Sequence, residues 1–64
     1  MNKVEKVQES LSDTNLLISE LIVEVVAQCQ LAGDMNDNDQ KKIKILSQAV
    51  IEISDLERKF LDFS

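Results

Sequence analysis

The sequence predicts an all-α protein, an antiparallel helical hairpin that dimerises into a four-helix bundle. Three observations predict it. The 64-residue chain has no proline and one glycine, Gly33, so nothing interrupts a helix on either side of that position. Apolar residues recur at heptad spacing through both halves. And there is more apolar surface than two helices can cover between them.

The first helix is expected at about 3–32. With Val4 at position a of a heptad, the a row reads Val4, Leu11, Ile18, Val25 and Ala32, and the d row Val7, Thr14, Leu21 and Gln28. Ile22 and Cys29 widen the stripe at position e. Asn2, with Glu5 three residues on, reads as a capping box, in which the two side chains satisfy free backbone N–H groups at the helix start. Residues 10–15, Ser-Leu-Ser-Asp-Thr-Asn, are rich in side chains that compete for backbone hydrogen bonds. They allow either a later start or a weak point in a continuous helix.

The bend is expected at 33–37. Gly33 follows the last periodic residue of the first helix, where a left-handed residue commonly ends a helix. Asp37, with Gln40 three residues later, reads as a second capping box. The alternation of acids and amides in 33–40 also invites a calcium-loop reading, with Asp34, Asn36 and Asn38 at positions 1, 3 and 5. That loop needs glycine at its sixth position and a bidentate glutamate at its twelfth, and Asp39 and Ile45 stand there instead. No metal or other cofactor is expected.

The second helix is expected at about 38–62. Leu46, Ile53 and Phe60 form its a row and Ala49, Leu56 and Phe63 its d row. Ile43 and Val50 form an e row that Glu57 interrupts. Asp37 with Lys41 and Asp55 with Lys59 are acid-before-base pairs one turn apart. The hairpin core then comprises Leu11, Leu21, Val25, Leu46, Ala49, Val50, Ile53, Leu56 and Phe60. Left over is an apolar arc on the first helix that one antiparallel neighbour cannot bury. Leu16, Ile18, Ile22, Val23, Val26 and Cys29, with Ile51 of the second helix, are the expected oligomer or partner interface.

Composition narrows the function classes. With one cysteine and no histidine, neither an internal disulfide nor the usual zinc ligand sets are available, so a chain this small gains stability by association. General acid–base catalysis most often uses histidine, and one glycine cannot build a phosphate-binding loop, so no enzyme and no small-molecule substrate are expected. The net charge of −5 disfavours nucleic acid. The N-terminal residues mix Lys3 and Lys6 with Glu5 and Glu9 rather than leading into an apolar block, and 16–32 contains Glu20 and Glu24. Neither a signal peptide nor a membrane span is expected, and a cytosolic location follows. What remains is a small interaction module, binding itself as a homodimer and another protein through an apolar helical face. It is of the kind found as regulators or accessory factors in phages and mobile elements. The architecture is similar to that of type III secretion needle co-chaperones, which implies a client helix held in an apolar groove. In length and acidic charge it also resembles Rop, an RNA-binding regulator built as a dimer of hairpins. Both resemblances are of architecture and carry no motif.

Overall fold

The computed structural model describes residues 2–63. Two helices, α1 (Lys3–Ala32) and α2 (Asp37–Leu61), fold back on each other as an antiparallel hairpin. Helix α1 runs unbroken through 10–15. Its start is set by Asn2, whose side-chain Oδ1 accepts from the Glu5 N–H at 2.8 Å. One of the free donors of the first turn is satisfied in this way.

Gly33 ends α1 in the left-handed conformation, at φ 74° and ψ 11°. Its N–H reaches the carbonyl of Gln30, and the N–H of Asp34 reaches that of Cys29, both at 3.2 Å. This pairing satisfies two carbonyls that the helix leaves open, and a side chain at Gly33 would strain it. Helix α2 starts one residue earlier than the sequence suggests. Asn36, not Asp37, is the cap, and its Oδ1 accepts from the Asp39 N–H at 2.9 Å. The reason is that Asn36 holds an extended backbone, φ −76° and ψ 171°, while Asp37 is already helical. Asp37 and Asp39 instead place negative charge on the positive end of the helix. Asp55 and Lys59 close the expected ion pair at 3.1 Å on the exposed face, whereas Asp37 forms none with Lys41.

The molecule is one layer thick. Its Cα extents are 46 × 17 × 12 Å, those of two long helices lying side by side with nothing stacked on either face. The radius of gyration is 14.8 Å, against roughly 11 Å for a compact domain of this length. A helix in such a layer has water on every side except the one facing its neighbour. Accordingly Cys29, at 7% exposure, is the one buried apolar residue among those described.

Candidate functional site

The contact between the helices sets every other surface. Ser19 and Val26 are half-buried at one edge of the contact, and along its centre α1 withdraws from water Val4, Gln8, Leu11, Asn15, Ile18, Ile22, Val25 and Cys29. Asp39, Ser47, Ala49 and Ser54 are half-buried at the edges, and along the centre α2 withdraws Ile43, Leu46, Val50, Ile53, Glu57 and Phe60. These are steps of three and four, so each helix presents one stripe. The stripe is formed by the a and e rows, one position around from the a and d seam that the apolar pattern suggests.

Of the expected core, Leu11, Val25, Leu46, Ala49, Val50, Ile53 and Phe60 are half-buried. Leu21 and Leu56 stay 44% and 42% exposed, because the d row lies along the edge of the seam. Of the expected interface, Ile18, Ile22 and Val26 are half-buried and Cys29 is buried, spent on the hairpin itself. Leu16, Val23 and Ile51 remain open, Val23 at 67% exposure.

The d row loses its place in the seam because polar side chains in the e row find partners across it. Gln8 Nε2 donates to the Phe60 carbonyl at 3.0 Å, so α1 caps a carbonyl in the last turn of α2. Asn15 Nδ2 donates to Ser54 Oγ at 3.1 Å and to Glu57 Oε1 at 3.2 Å. Glu57, which reads in the sequence as an interruption of an apolar row, is thus an acceptor for Asn15. The other side-chain atom of Asn15, Oδ1, is withdrawn from solvent with no protein donor. These residues have a sequence signal: Gln8 and Asn15 stand seven apart on the same row as Ile22 and Cys29.

At the bend, burial pushes the Cys29 thiol above its ordinary pKa. Its hydrogen bond to the Asp39 carboxylate, and the charges of Asp39 and Asp34, push the same way, while Lys42 opposes them. Asp34, Asn36 and Asp39 share a polar hollow with Cys29. The Asn36 side-chain oxygen there is committed to the helix start.

Two open faces flank the seam. On one, the d row of α1 lies beside that of α2. Leu21, Val25 and Gln28 line a hollow of about 420 Å³ together with Lys42, Ile45 and Leu46. The other carries Leu16 and Val23 of α1, exposed along its outer surface. A shallow hollow there is lined by Ser19, Glu20, Val23 and Glu24. An 18-residue stretch of α1 has a mean hydropathy of 1.4, which by length and composition reaches the range of a membrane-crossing helix. The span includes Glu20 and Glu24, and each carboxylate placed in hydrocarbon costs about 2.5–3.5 kcal/mol.

Comparison with protein-family models, with curated proteins and with solved structures finds no match, so what the molecule does rests on its own geometry.

Proposed function

We propose that the chain is a non-catalytic interaction module that works by burying an apolar helical face against a helical surface of another protein. One observation carries this reading. Twelve large apolar side chains of the described residues are exposed, against one apolar residue buried. An excess of exposed apolar side chains over buried ones is unusual for a self-sufficient domain, and exposed apolar faces mark interaction sites. The pattern suits helix-in-groove recognition, in which a partner helix lays its apolar stripe along a neighbouring one. Leu16 and Val23, on the outer surface of α1, are the residues assigned to that partner. Glu20 and Glu24 beside them favour a partner with basic flanks.

The test is affinity purification with the wild-type chain and with Val23→Asp, followed by binding measurements on the purified partner. The substitution places a charge on the open face without entering the seam, so helicity should be unchanged. Binding should weaken by roughly 100-fold, as for a charge buried without a partner. A partner held equally by both forms, or none held by the wild type, refutes the reading.

A further inference from the structure

We infer that the d-row face is a self-association surface, occupied by a second copy of this chain. The inference rests on the reading of the chain as an interaction module and names the occupant of one of its two faces.

Area is the first argument. The chain exposes 5,090 Å². A folded monomer of 7.2 kDa exposes about 4,100 Å². The excess, about 1,000 Å², is the amount one partner contributes to an interface of ordinary size, about 800 Å² a side. A single further hairpin laid on one face removes it.

The pattern of that face is the second argument. The hydrogen bonds of Gln8 to Phe60 and of Asn15 to Ser54 and Glu57 set the register of the two helices. In that register Val7 sits level with Phe63, Thr14 with Leu56, and Leu21 with Ala49. The a, d and e rows are the mainly apolar ones on each helix, three positions in seven, with Gln8, Thr14, Asn15, Gln28, Asp39, Lys42 and Glu57 as their polar members. That is the width of stripe a helix needs in a four-helix bundle, and more than it needs in a pair. The a and e rows are used within the hairpin, and the d row is left.

Shape is the third. In the two middle levels a small residue stands beside a large one: Thr14 beside Leu56, and Ala49 beside Leu21. A two-fold related copy brings bumps over hollows, as a self-complementary interface requires. Val7, Leu21 and Leu56 are between 38% and 44% exposed, partly covered within their own hairpin and with area left to bury. Lys42, at one end of the row, is its one charge. The opposite face offers no such row: Leu16 and Val23 stand farther out, and Ser19, Ser47 and Ser54 lie nearer the seam.

Sedimentation equilibrium of the full chain across a dilution series should give twice 7.2 kDa. Leu56→Asp should raise the dissociation constant by roughly 100-fold. Val23→Asp should leave the mass of the assembly unchanged. Because Leu56→Asp can also unfold the hairpin, isotope-filtered NMR on a mixture of labelled and unlabelled wild-type chains is run beside it. Contacts between copies at the methyls of Leu21, Ala49 and Leu56 support the inference. A folded wild-type monomer at every concentration overturns it, as do contacts between copies at Leu16, Val23 or Ile51. A monomer that sediments with phosphatidylcholine vesicles overturns it too, by giving the face to lipid. The partner-binding reading is decided separately, by Val23→Asp against a purified partner, and among these outcomes only contacts between copies at Leu16 or Val23 count against it as well.

Discussion

Gly33, Asn15 and Cys29 are each held by a different constraint. Gly33 is required by its positive φ and not by crowding, since no atom lies within 4 Å of where a side chain would begin. Asn15 sits at a seam position with two acceptors for its amide nitrogen and none of its donors' counterparts for its oxygen, an arrangement that fixes register at some cost in stability. Cys29 has a thiol pushed upward by burial and by Asp39. An acid whose folded pKa is raised holds its proton more tightly in the folded state. The stabilisation is full below the ordinary thiol pKa and is lost as pH rises through the folded value. Two outcomes follow. The denaturation midpoint should fall more steeply with alkaline pH for the wild type than for Cys29→Ala. Alkylation of Cys29 near neutral pH should be slower than that of a free thiol, and Asp39→Asn should speed it. Equal alkylation rates in the two proteins would show that Asp39 does not hold the proton.

At the scale of the helices, the hairpin, its Asn2 start and the role of Gly33 were legible in the sequence, because each rests on local chemistry: absent prolines, a side chain that accepts from the third N–H, a residue tolerant of positive φ. The seam was less legible. Apolar count favours the d row, with Val7 and Leu21, over an e row that begins with Gln8 and Asn15. The folded chain prefers the e row because Gln8 meets a helix-end carbonyl and Asn15 meets Ser54 and Glu57, bonds between residues some forty to fifty positions apart. Periodicity along one helix does not contain that information. The same geometry lowers the cost of core truncation. In a fully buried core Ile53→Ala would cost about 2–5 kcal/mol. Ile53 is half-buried in the hairpin, so for an isolated chain we expect about half of that, ~1–2 kcal/mol, from urea denaturation at low concentration. A full-sized penalty under those conditions would mean that Ile53 is already enclosed.

For the whole molecule, the governing feature is thickness. A chain of this length removes only about 60% of its unfolded surface from water even when compact, and a single layer of helices removes less. Its stability should therefore depend on how much of it is present. Thermal unfolding followed by circular dichroism should give a midpoint that rises with concentration, as association with the folded state demands. A midpoint independent of concentration would mean that the lone hairpin holds itself together. The single-layer build of the molecule has a further consequence in a living cell. With no interior to reach through, local opening of either helix exposes backbone to proteases at small cost, and degradation follows the population of open chains. Copies made in isolation would be cleared quickly and copies made together would persist. The lifetime of the protein would then report its own abundance, and a modest change in synthesis would produce a disproportionate change in the amount that survives.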